Sequence, residues 1–252
     1  MPVPNIYEDT GATSGVGALS VPWGTHNSTF TAILVIQSNG ETIGQPTQSA
    51  APDTTWNLIA EVYTGTPGAA GSTGLALYWA RSVDDGGMQP ATVPDSGDHT
   101  IAKMLMLQNV AASGNPINFA ETQSVDVAQT AISVSCPSST VVNCLVFCVC
   151  GNAIDSATNQ GSSGWANTSL DAGAGFAGQF NTANGNGGGY MGGVGEKATA
   201  GACGTFSHNT GWPTATKQAN IVFAISDTET VAPPPSGGGA STVSTMTLLG
   251  AG

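Results

Sequence analysis

The sequence predicts an all-β protein: a jelly-roll-like β-sandwich with extended N- and C-terminal arms. Three observations lead there. Only 8% of the 252 residues are charged, against about 25% in an average globular protein, so the long charged side chains that cover the outer faces of helices are nearly missing. Residues 141–150 (VVNCLVFCVC) and 30–37 (FTAILVIQ) are apolar at both alternating sets of positions. Both are too short for a membrane span and are closed by turn residues, Gly151-Asn152 and Asn39-Gly40, which is the pattern of strands buried in a sheet. Further runs of this kind recur between turns built from the 35 Gly and 14 Pro, the signature of a sandwich or jelly roll. The two doubly apolar runs lie in corresponding parts of the chain, which reads as loosely duplicated.

In order, residues 1–18 are polar, with Pro2 and Pro4, and read as an N-terminal arm. Residues 19–226 read as the sandwich domain. Residues 19–22 (LSVP) suit an edge strand, where proline is tolerated. The buried run 30–37 follows, then 55–63 (TWNLIAEVY). Residues 74–81 (GLALYWAR) alternate Leu75, Leu77 and Trp79 against Ala76, Tyr78 and Ala80, the period of a strand. A polar hairpin region, 84–98, leads to 99–108 (HTIAKMLMLQ), whose Met and Leu content suits a helix but whose place between turns suits a strand. Asn115-Pro116-Ile117-Asn118 reads as a break, and 125–135 as one or two strands. Beyond the central run 141–150, Trp165 stands about as far past its strand as Trp56 past its own. The glycine-dominated stretch 181–195 reads as a loop, and 218–226 (QANIVFAIS) closes the domain, for about ten to twelve strands. Residues 227–252 read as a Pro/Gly linker, stiff at Pro233-Pro234-Pro235 and flexible at Gly237-Gly238-Gly239, and a C-terminal arm with one short strand, 241–249 (STVSTMTLL). A strand without a neighbour is unstable in water, so Thr245, Met246, Thr247, Leu248 and Leu249 are expected to bind a partner.

Four basic residues against sixteen acidic ones give a net charge of -12. Contacts to nucleic acid and anionic lipid rest on Lys and Arg, so neither is an expected partner. No basic start followed by an apolar core marks a signal peptide, and no run of about 18 apolar residues marks a membrane helix. The five cysteines are an odd set. Cys144, Cys148 and Cys150 share one strand face but lie too far along it for easy bridging, as free core thiols made in a reducing compartment would. Cys148-Val149-Cys150 as a metal site lacks the further ligands that complete a set of four.

Asp84, Asp85, Asp95 and Asp98, beside His99, are the densest titratable cluster. Loop carboxylates of this kind bind hard cations, but the spacing fits no calcium loop, and such residues commonly bond their own backbone in turns. The residues point to no cofactor and no resident metal. Glu61 and Glu196 are the glutamates near strand ends that a paired-carboxylate hydrolase would need. His26, His99 and His208 are isolated in sequence, and the expectation is no enzyme. Residues 185–195 lack the Lys-Ser/Thr and the strand-to-helix context of a phosphate loop. Trp23, Trp56, Trp79, Trp165 and Trp212 suit either core caps or a sugar-stacking platform, with Trp23 and Trp212 the candidates for glycan contact.

The order of apolar strand, Trp56 followed by Leu58-Ile59, LALYWAR, a Thr-containing strand, Asn115-Pro116-Ile117, the strand 144–150, a later tryptophan and a closing strand 221–226 resembles a β-sandwich module. That module occurs in tailed-phage virion and tail proteins and in bacterial surface proteins. The likeness covers residues 18–226, and the glycine tract 185–195 departs from the loop such modules have there. The resemblance implies a non-enzymatic virion structural protein, a capsid decoration (cement) protein made in the host cytoplasm. Its implied partners are the major capsid protein and its own copies, as a homotrimer. The alternative is a tail-fibre or baseplate adhesin that binds a host-surface glycan.

Overall fold

The computed structural model describes residues 2–39, 42–48, 55–69, 71–83, 88–97, 99–154, 164–180, 188–209 and 215–230, with backbone alone for 171–180 and 229–230. Among these residues every regular element is a strand. The first half holds β1 (Asn5–Asp9), β2 (Thr13–Val16), β3 (Leu19–Val21), β4 (Thr31–Ser38), β5 (Thr47–Gln48), β6 (Asn57–Thr64), β7 (Thr73–Arg81), β8 (Ala91–Val93) and β9 (His99–Gln108). The second holds β10 (Asn115–Gln129), β11 (Ile132–Thr140), β12 (Cys144–Asn152), β13 (Trp165–Ala166), β14 (Asp171–Phe180), β15 (Gly188–Lys197), β16 (Gly201–His208) and β17 (Thr216–Thr230).

These strands form a duplicated structure. A first major sheet has the order β1-β9-β4-β7-β6, and a second has β10-β17-β12-β15-β14. Two three-stranded minor sheets have the orders β3-β8-β5 and β11-β16-β13. β2 continues β1 along β9, with Thr13 opposite Ala102 and Asp9 opposite Leu105, and the two act as one interrupted edge strand. The Thr10 N–H and hydroxyl both donate to the Met104 carbonyl at the break, at 3.1 and 2.9 Å. Counted so, each half has eight strand positions, and each position of the first maps onto one of the second: β4 onto β12, β7 onto β15, β9 onto β17. The β-sandwich is therefore as expected, but its sheets are not the two four-stranded sheets of a jelly roll. β6 and β14 extend the major sheets, which leaves three strands in each minor one.

The four sheets stack in layers, minor, major, major, minor, with a core in each gap. Ile33, Val35, Leu75, Leu77, Leu105 and Leu107 of the first major sheet meet Leu145, Phe147, Val149, Ile221, Phe223 and Ile225 of the second. Phe147 and Phe223 stack there at 4.7 Å between centroids, 6° from parallel. The opposite faces pack outward. Ala32, Leu34, Ile36, Met104 and Met106 lie under Leu19, Val21, Ala91 and Val93 of the first minor sheet. Cys144, Val146, Cys148, Cys150 and Val222 lie under Ile132, Val134, Cys136, Cys203 and Phe206 of the second. A strand covered on both faces has no polar side, which is why β4 from Ala32 to Ile36 and β12 from Cys144 to Cys150 are apolar at every position.

Several expectations are corrected. Residues 5–16 are not a free arm: they form the edge of the first major sheet. Asn115-Pro116-Ile117 begins β10 instead of breaking the chain, since an edge strand tolerates a proline. The region 84–98 contains β8, and 227–230 belong to β17. There are seventeen strands among the described residues. The glycine-rich tract is, from Gly188 on, a buried strand, and β14 beside it was missed because its Gly and Ala run has low strand propensity. Its glycines make room for neighbours: a Cβ on Gly193 would lie 2.6 Å from the Trp165 ring, and one on Gly188 would lie 2.8 Å from Asn39 Oδ1.

The halves differ at one end of their outer cores. In the first, Ser38, Ser96 and Thr100 hydroxyls bond one another at 2.6 Å in a buried chain. In the second, Asn152, Gln218 and Asn220 are buried instead. Gln218 donates to the Ala131 carbonyl, whereas neither amide atom of Asn220 has a hydrogen-bond partner. Asn220 sits opposite Cys150 on β12.

Candidate functional site

The residues singled out from sequence fall into three groups. Asp84, Asp85 and Asp98, Trp212 and the arm residues Thr245, Met246, Thr247, Leu248 and Leu249 lie outside the described residues. Asp95 turns its own backbone, its Oδ1 accepting from the Gly97 N–H at 2.8 Å. Among the described residues no group of three or more His, Cys, Asp or Glu is placed to hold a metal ion. Glu61 is on β6 of the first major sheet and Glu196 on β15 of the second. His26 Nδ1 lies 2.9 Å from the Gly24 carbonyl oxygen. His99 starts β9, and His208 ends β16, packed 5.1 Å from Trp165.

The described tryptophans serve packing. Trp56 is buried, and half-buried Trp23 lies against it at 5.5 Å, 33° from parallel. Trp165 sits over Gly193 and edge-on to Phe206. Trp79 is half-covered by the Arg81 guanidinium, 5.6 Å from its ring centroid. Arg81 also donates to the carbonyls of Ser113 and Gly114, each at 3.1 Å. It lines a cleft of about 420 Å³ with Ser28, Thr29, Gln108, Asn109, Val110 and Ala112. No motif marks this cleft in the sequence, because its side chains come from separate connections at one end of the first major sheet.

The thiols are core groups. Cys136, Cys144, Cys148, Cys150 and Cys203 are buried and none forms a disulfide. Burial pushes the Cys144 thiol up to about 12 and raises Cys148 and Cys150 as well. Cys136 and Cys203 share a hydrogen bond across β11 and β16, which raises Cys136 and lowers Cys203. Thiolate is the reactive form, so burial leaves Cys144, Cys148 and Cys150 inert.

What remains accessible is concentrated at sheet edges. The exposed large apolar side chains among the described residues are Tyr7, Val16, Leu58, Val127 and Val142. The first four lie on β1, β2, β6 and β10, all edge strands. β10 is the longest of these. From Phe119 to Val125 it pairs with β17 without irregularity. From Thr122 to Gln129 every side chain is exposed except half-buried Val125, and Val127 is 75% exposed. No described strand pairs with its outer edge. Residues 117–129 contain neither Lys nor Pro, the residues that commonly guard an edge. Glu121 is engaged with the Ser138 hydroxyl, and Asp126 Oδ1 accepts from the Gly65 N–H at 2.8 Å. Sequence reading placed a strand only from residue 125 on, because the alternation before it is weak and a proline stands at the start of β10. In comparisons with known proteins, no family model, no curated protein and no solved structure matches the chain.

Proposed function

We propose that the protein is a non-enzymatic structural protein of a phage virion, a decoration (cement) protein that sits on the capsid shell. It acts with the major capsid protein and with its own copies, as a homotrimer. The observation that carries this reading is the location of exposed apolar side chains on strand edges that no strand pairs with among the described residues. Main-chain pairing along such edges, together with apolar contact, fastens subunits in a way that salt weakens little. That mode of attachment suits a chain with only four basic residues. The arm 241–249 is the second fastening element.

The test is binding of the purified full chain to expanded capsids, compared with a chain ending at Thr230, where β17 ends. Saturable binding of the full chain, lost on removing 231–252, is expected. Failure of the full chain to bind any capsid form overturns the reading.

One observation favours the adhesin alternative. The cleft beside Arg81 offers hydroxyls, amides and a cation with no carboxylate among its lining residues, a polar set suited to a sugar. Under that reading the chain ending at Thr230 still binds host cells, and Arg81→Ala abolishes the binding.

A further inference from the structure

We infer that the outer edge of β10, residues 121–129, is the docking site for the arm 241–249 of a second copy of this chain. The inference rests on the reading of 241–249 as a partner-binding arm and names the surface that receives it. This edge is unpaired among the described residues and carries no Lys or Pro, its register with β17 shifting only between Val125 and Gln129 within the stretch; such an edge presents a row of N–H and C=O groups that an added strand satisfies. The free stretch and the arm segment are each nine residues long. Along the arm, Val243, Thr245, Thr247 and Leu249 share one face and Met246 and Leu248 the other. The arm segment carries no charge, so it can approach another copy of a chain with net charge -12 without adding to the repulsion.

Geometry selects a second copy over the chain's own arm. β17 ends at Thr230, opposite Asn115 at the start of β10. Antiparallel addition to 121–129 requires residue 241 to begin near Gln129, roughly 46 Å further along the strand. The segment from 230 to 241 spans at most about 40 Å when fully extended, and it includes Gly237-Gly238-Gly239, which disfavour full extension. The chain's own arm can reach only a parallel pairing, which is the weaker one. An arm arriving from another copy has no such limit. Reciprocal exchange between two copies closes a two-fold dimer, and exchange passed from copy to copy closes into a ring when the rotation between copies permits.

The test uses the full chain, followed by sedimentation velocity and by hydrogen exchange across a concentration series. Self-association is expected, with slowed exchange at 120–129 that appears only as the chain associates. Thr245→Pro in the arm and Val127→Lys on the edge should each weaken association about tenfold or more and remove that protection. Far-UV circular dichroism should be unchanged for both. Protection of β10 that is independent of concentration, protection confined to other strands, or wild-type association by Thr245→Pro overturns the inference. Capsid binding is read separately. If capsids bind through the arm while β10 stays unprotected, only this inference falls; if arm exchange holds and capsids are not bound, only the proposed function falls.

Discussion

At the scale of single residues, the interior holds its acidic hydrogens tightly. Burial, with a smaller contribution from Glu61, pushes the Tyr78 hydroxyl up to about 12, and burial raises Tyr190 and the thiols of Cys144, Cys148 and Cys150. An unfolded chain loses these protons near pH 8.5 to 10, whereas the folded chain keeps them to higher pH. Between those limits the folded state binds more protons, so stability falls as pH rises. For Tyr78 alone, the interval from about pH 10 to 12 corresponds to a loss of roughly 2–3 kcal/mol. The melting temperature should therefore be steady near pH 7 to 8 and decline steeply above pH 9. Tyr78→Phe should flatten the part of the decline above pH 10. A melting temperature that stays level to pH 11 would contradict this account. The thiols were legible in sequence as core groups, because three of them recur every second or fourth residue on one strand face. The bond between Cys136 and Cys203 was not, since it joins positions far apart in the chain.

At the scale of elements, β4 and β12 show how a strand's place is written in its composition. Neither has a polar face, and the structure places each at the centre of a major sheet with a core above and below. That placement was readable, as were β7 and β9. The minor-sheet strands β5, β8 and β13 were not, since two or three residues are too few to establish a period. β14 and β15 were hidden for the opposite reason: their glycines look like a loop until Trp165 is seen to need the space above Gly193. Phe147, on β12, is fully buried and stacked on Phe223. Phe147→Ala should cost about 3–5 kcal/mol, while Val127→Ala on the exposed edge of β10 should stay within about 0.5 kcal/mol. Chemical denaturation of the two variants checks the contrast, and comparable losses in both would refute the placement of β12 in the core.

At the scale of the whole molecule, the duplication and the shared core bind the halves into one unit. Among the described residues, the inner face of the first major sheet, Ile33, Val35, Leu75, Leu77, Leu105 and Leu107, is covered by the second major sheet. Neither half should fold alone. Residues 1–111 and 112–252 expressed separately should aggregate, and together they should co-purify as a folded pair. Intact protein should melt in one transition, because losing one half exposes the central core of the other. Two resolved transitions in calorimetry would separate the halves and defeat this view. The candidate site was less legible than the fold. Its arm was visible as an isolated β-branched run, whereas the edge that we assign to receive it depends on which side of β10 the other strands leave open. Duplication also means that each interior position occurs twice in one chain and each copy serves as a reference for the other. Asn220 is a buried amide without a partner, at the end of the second outer core where the first holds its chain of hydroxyls. The first half satisfies its buried polar groups at that end with hydroxyls that bond one another, and so supplies a pattern for re-engineering the second.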